Sequence, residues 1–158
     1  MEDIYLDEIM DVKDILNSLK QIFPDLTVFY YDFNEDPPVD LDFNNPKHIF
    51  FNSLYSEEKF ELRFQICIYR TPNEDYEQRQ IYIGKIFSDL NNVRVLVPFN
   101  DPEERSYPYY SLFFEKGKIF LADDNDTNFA DGTEGVVKVI KEYAMVMPRF
   151  DAKAQLIK

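Results

Sequence analysis

The sequence predicts an α+β fold: a mixed or antiparallel sheet with helices packed on one face. Three observations lead there. From Phe60 to Tyr69, apolar and polar side chains alternate without a slip, the period of a strand with one face buried. Two longer stretches repeat apolar residues at helical spacing. The order of elements is helix, strands, helix, strands, which suits helices gathered on a sheet.

Each element follows from local pattern. In residues 6–23, Ile9, Val12, Ile15, Leu16, Leu19, Ile22 and Phe23 form one apolar stripe, and Pro24 stops the helix. Leu26 to Phe33 is β-branched and aromatic, so it reads as a strand. Asn34 to Pro46 carries three prolines and several acids, the marks of a surface loop. His48 to Tyr55 is a short strand. In the long strand, Phe60, Leu62, Phe64, Ile66 and Ile68 face the core, and Cys67 falls on the wetter side. Asn73 to Asn92 reads as a helix through Tyr76, Ile83, Ile86, Phe87 and Leu90, although "QIYIGKIF" also suits a strand and Gly84 costs about 1 kcal/mol relative to Ala. Val93 to Phe99 is a strand. Tyr110 to Ala122 is a hairpin turning at Gly117, where positive φ costs glycine nothing. Residues 136–147 fit either a helix face or a strand, and β-branching favours strand. The expected domain spans 1–150, with a frayed tail at 151–158.

Composition narrows the function. A chain of 158 residues with 45% apolar side chains buries roughly 70% of its unfolded surface and needs no disulfide or metal to fold. Four glycines leave no glycine-rich phosphate loop. The single cysteine, Cys67, excludes an internal disulfide. The net charge of −13 repels nucleic acid and anionic lipid and attracts basic surfaces. The acidic start "MEDIYLDEIMD" has no signal-peptide pattern, and no apolar run approaches the ~20 residues of a membrane span. A cytoplasmic location is the expectation.

No catalytic motif stands out. The stretch "DDNDTNFADGTEG", Asp123 to Gly135, holds five carboxylates. Read as a calcium loop from Asp124, it has Phe129 in place of glycine and Gly135 in place of the final glutamate. Read from Asp123, Glu134 fits but Asn125, Thr127 and Asn128 do not. The other readings are a turn of Asx side chains bonded to their own backbone, or a loop facing a partner. His48 is the only histidine and has no sequence companions for a triad or metal site. No catalytic residue, metal or cofactor is expected.

Aromatic residues beside acidic loops point to protein binding. Tyr30 and Tyr31 precede Glu35, Asp36, Asp40 and Asp42. Tyr107, Tyr109 and Tyr110 follow Asp101, Glu103 and Glu104, and precede Asp123, Asp124, Asp126 and Asp131. Tyrosine anchors supply contact area, and surrounding charge sets association rate and selectivity. In size, acidity and aromatic content the chain resembles the immunity proteins of bacterial toxin systems. That resemblance implies a non-enzymatic inhibitor whose partner is a basic protein, a cognate nuclease-type toxin domain, with neither nucleic acid nor membrane as target. The alternatives are a small-molecule-binding or enzymatic domain and, after it, a nucleic-acid mimic.

Overall fold

The computed structural model describes residues 1–55, 61–127 and 136–158. Expectations that rest on Phe60, on Asp131, or on Asn128, Phe129, Glu134 and Gly135 of the calcium registers lie outside the described residues.

Among the described residues there are two α-helices and one eight-stranded mixed sheet. In chain order these are β1 (Glu2–Leu6), α1 (Val12–Ile22), β2 (Thr27–Tyr30), β3 (His48–Tyr55), β4 (Phe64–Arg70), α2 (Tyr76–Asn91), β5 (Val95–Pro98), β6 (Tyr110–Glu115), β7 (Lys118–Asp123) and β8 (Lys138–Glu142). The sheet order is β2-β3-β4-β1-β5-β6-β7-β8. Only β2 and β3 pair in parallel; the other neighbours are antiparallel.

Both helices pack on one face. Ile15, Leu19 and Ile22 of α1 and Ile83 and Phe87 of α2 meet Ile4, Leu6, Phe51, Ile66, Val95, Val97 and Phe114 of the sheet. The alternation expected for the long strand holds for Phe64, Ile66 and Ile68 of β4, but Leu62, expected on the same face, precedes the strand and packs on the other side. A smaller cluster of Leu62, Leu96, Phe113, Ala122 and Val137 forms on the opposite side. There the β2–β3 connection lays Tyr31, Phe33 and Phe43 over Phe50 and Tyr69. Cys67, expected to be partly accessible, is 5% exposed beneath this side of the sheet.

Two further expectations are corrected. The first helix does not begin near residue 6. Residues 2–6 form the central strand, α1 starts at Val12, and Ile9 lies exposed in the connection. The helix over "QIYIGKIF" is real, and Gly84 has a packing reason: a Cβ there would sit 2.7 Å from Val97 Cγ1 and 3.1 Å from a Phe114 ring carbon. The last eight residues, expected to fray, are tied down. Asp25 N–H donates to Ala152 O at 3.1 Å, Arg70 Nη2 donates to Lys153 O at 2.8 Å, and Ala154 is buried.

Residues 138–142 are a strand, as β-branching indicated, and all five are exposed. This edge carries Lys138 and Lys141 and a register shift opposite Leu121 and Ala122. Lysines and bulges are how sheet edges avoid pairing with other chains.

Glu2 and Arg79 form an ion pair inside the core, with side chains 0% and 1% exposed. Arg79 Nε donates to Glu2 Oε1, and Nη1 donates to Glu74 O at 2.8 Å. Burial pushes the Glu2 carboxyl up against the pull of Arg79. Glu2 Oε2 has no hydrogen-bond partner among the described residues. Breaking such a pair costs more than the pair itself contributes, because one charge is stranded. Arg79→Met is therefore expected to lose about 3–5 kcal/mol in urea unfolding, and Glu2→Met added to it to recover most of the loss. A double variant as unstable as the single would refute this. Gly84→Ala is expected to destabilise by about 1–3 kcal/mol from overpacking, the opposite sign to the gain that helix propensity alone would give.

Candidate functional site

The ladder between β1 and β5 is short. Tyr5 pairs with Leu96 and Leu6 with Val95, and there it stops. Two residues on in register, Asp3 would stand across from Pro98. Proline has no N–H to donate, so that pair could close only through a bond from Asp3 N–H to Pro98 O. Gln80 of α2 takes its place: Asp3 N–H donates to Gln80 Oε1 at 2.7 Å, and Gln80 Nε2 donates to Pro98 O at 3.2 Å. One buried side-chain amide thus serves both strand ends and holds them apart.

A cleft of about 420 Å³ opens at this point. Its walls come from the first turns of α2 (Tyr76, Glu77, Gln80), the end of β5 (Pro98, Phe99, Asn100), Tyr110, and the carboxylates of Asp3 and Asp124. Among the described residues no Lys, Arg or His lines it, although Met1, whose terminal ammonium donates to Asn73 Oδ1, does. Asn100 Nδ2 and Tyr76 OH both donate to Glu77 Oε1, each at 3.2 Å.

Two of the three expected acidic loops meet here. The β6–β7 register sets Tyr110 opposite Asp123, so the loops flanking that hairpin fall at one end. Tyr107 OH donates to Asp123 Oδ2 at 2.7 Å, and Tyr110 OH donates to Glu104 Oε2 at 2.6 Å. These bonds push both phenols up to about 12, chiefly because each would have to give up its proton beside a carboxylate. The Tyr107 ring lies 4.6 Å from Tyr110 and 5.5 Å from Tyr109. Glu103, Glu104, Asp126 and Tyr109 are exposed. Asp101 is 7% exposed, and its carboxylate accepts from Glu103 N–H at 2.9 Å, so it shapes its turn. Asp123 does both jobs, since its Oδ1 also accepts from Asn125 N–H.

The third group lies elsewhere. Glu35, Asp36, Asp40 and Asp42 are exposed on the β2–β3 connection. Strand β2 is five strand spacings from β6, about 24 Å. Tyr30 and Tyr31 are half-buried; Tyr30 packs on Phe51, and Tyr31 sits among Phe33, Phe43 and Phe50. His48 belongs to this loop. Its Nδ1 accepts from Asp42 N–H at 3.1 Å, and its Nε2 lies 3.2 Å from Asn45 Nδ2. Cys67 stands opposite Asn52, four residues further along β3 than His48 and so about 13 Å away. Burial, reinforced by Asp3, pushes the Cys67 thiol up to about 12. The two do not form a nucleophile and base. Among the described residues, no group of three or more His, Cys, Asp or Glu is placed to hold a metal ion. No described helix is long and apolar enough to cross a membrane.

Sequence reasoning missed Asp3, Glu77 and Gln80. Counting back from the Gly117 turn would have brought the two acidic loops together, but no pattern in the sequence marks Gln80 as a wedge.

Comparison with known proteins finds no matching family model, no matching curated protein and no matching solved structure.

Asp124 is the cleft's costly charge. Burial raises its pKa above the ordinary 3.8, and the like charge of Asp123 adds to this, while the hydrogen bond from Ser111 Oγ opposes it. An acid whose folded-state pKa is raised contributes most below its unfolded pKa, and that stability is lost as pH rises through the folded value. Asp124→Asn, which keeps an acceptor for Ser111, is expected to melt higher than wild type at neutral pH. The difference should vanish below pH 3.8, where both side chains are neutral. Equal melting temperatures at neutral pH would contradict the burial of this charge.

Proposed function

We propose that the protein is a non-enzymatic binding module that captures a basic partner protein at this cleft. It receives a Lys or Arg side chain between Asp3, Glu77 and Asp124, with Tyr107, Tyr109 and Tyr110 as the contact surface beside it. The observation that carries the reading is the convergence of three carboxylates, Asp3, Glu77 and Asp124, from separate parts of the chain around one cleft whose lining, among the described residues, includes no basic side chain. Opposite charge accelerates encounter, and the tyrosines provide a shaped surface for docking. A net charge of −13 extends the attraction over the whole molecule.

Covering a partner's cationic surface makes the module an inhibitor. The finer form of the proposal is an immunity protein that neutralises a nuclease-type toxin, whose active surface must itself be basic to hold nucleic acid.

Immobilised protein is expected to capture a basic protein from its native host in dilute buffer and to release it as salt rises. Replacing Asp3, Glu77 and Asp124 by their amides should weaken capture at least tenfold. The same change at Glu35, Asp36 and Asp40 should leave most of it, and adding the free module should suppress the captured partner's activity. Capture indifferent to salt and to the cleft amides would overturn the proposal.

A further inference from the structure

One rung of the sheet runs across β3, β4 and β1 as Asn52, Cys67 and Asp3. Asp3 belongs to the acidic cleft. At the other end of the rung, Asn52 and Cys67 line a separate cavity of about 330 Å³, near the lower bound for small-ligand sites. Leu54 and Tyr69 stand beside them, and Asp32 and Phe33 of the β2–β3 connection complete the lining.

Asn52 is 8% exposed, and its Oδ1 has no hydrogen-bond partner among the described residues. Buried amide oxygens are almost always paired. An unpaired one in the wall of a cavity calls for a donor. The other lining groups narrow the donor's chemistry. Among the described residues no Lys, Arg or His lines the cavity. The Cys67 thiol and Tyr69 phenol, both pushed up to about 12 by burial first, stay protonated at neutral pH. Asp32 brings a negative charge, with its Oδ1 accepting from Asn34 N–H and Nδ2 at 2.9 and 3.0 Å. Phe33 meets the Tyr69 ring edge-on at 5.4 Å, and aromatic faces attract cations.

An anion here would face Asp32 with no counter-charge. An apolar guest would leave the Asn52 oxygen unmet. A cation that carries N–H groups satisfies both. We propose that this cavity binds a single alkylammonium or guanidinium group, which donates to Asn52 Oδ1 and is held by the charge of Asp32. The cation comes either as a free small amine or as the side chain of a bound protein.

The test uses n-butylammonium and methylguanidinium against the neutral n-butanol, followed by NMR at the Asn52 side-chain amide and at Cys67. A short neutral peptide with one central lysine separates the two sources: binding at least tenfold tighter than n-butylammonium assigns the site to a protein side chain, and weaker binding assigns it to a free amine. Saturable shifts with the cations and none with n-butanol are expected. Asn52→Leu should weaken binding at least tenfold, and Asn52→Asp should tighten it. Absence of saturable shifts with all three cationic probes, equal binding of n-butanol, or full affinity in Asn52→Leu would overturn the proposal. If Asn52→Leu does not fold, Asn52→Asp decides, and unchanged or weaker binding then counts against it. The probes are small cations, so the outcome is independent of whether a basic protein docks at the neighbouring cleft.

Discussion

The amide of Gln80 is the interaction on which the rest of the architecture turns. It lies between Asp3 N–H and Pro98 O, in the place of the one direct bond that this pair could form, and it satisfies one strand end on each side. Unpaired strand ends inside a sheet are costly, so β1 and β5 can separate here only because α2 supplies both partners. Neighbouring residues of the same helix fix its position. Arg79 anchors it to Glu2 in the core, and Gly84 lets it lie against Val97 and Phe114. Each of these three residues is a poor choice for an ordinary amphipathic helix. Together they dock α2 with little freedom to slide, and the opening beside it becomes a fixed cleft.

The charges in that cleft are kept at a cost. Asp124 would be more easily accommodated as a neutral side chain. The Tyr5 phenol nearby is pushed up by burial first and then by Asp3 and Asp124. Repulsion among like charges weakens a fold, and sequences under selection for stability alone would thin it out. Local costs of this kind collect where a surface is used. The acids on the β2–β3 connection differ. They are solvated; Asp42 among them and Asp32 beside them accept from the backbone N–H two residues on. The two acidic groups thus carry different physics despite similar composition.

Much of the sheet was legible because its strands obey a strict period. Phe64 to Ile68 and the hairpin around Gly117 follow from alternation and turn chemistry. β1 was hidden because Glu2 and Asp3 are disfavoured in strands, and Ile4 and Leu6 alone are too few to establish a period. Ile9 then fell by chance on the stripe of α1 and extended the helix too far. The tail was hidden because backbone carbonyls of Ala152 and Lys153 hold it, and backbone bonding leaves no mark on side-chain pattern. At the candidate site the aromatic and acidic loops could be named from sequence. Their convergence follows from hairpin register, while the contributions of Asp3, Glu77 and Gln80 come from tertiary packing, which no local rule encodes.

If Gln80 holds the strands apart, then the Asp3 amide has no acceptor except that side chain. Hydrogen exchange measured residue by residue on Gln80→Ala tests this directly. Asp3 N–H should exchange at least tenfold faster than in the wild type, while the β1 amides that bond to β4 keep their protection. Unchanged protection at Asp3 would mean that β5 closes onto β1 without help, and that the cleft is not built by the wedge.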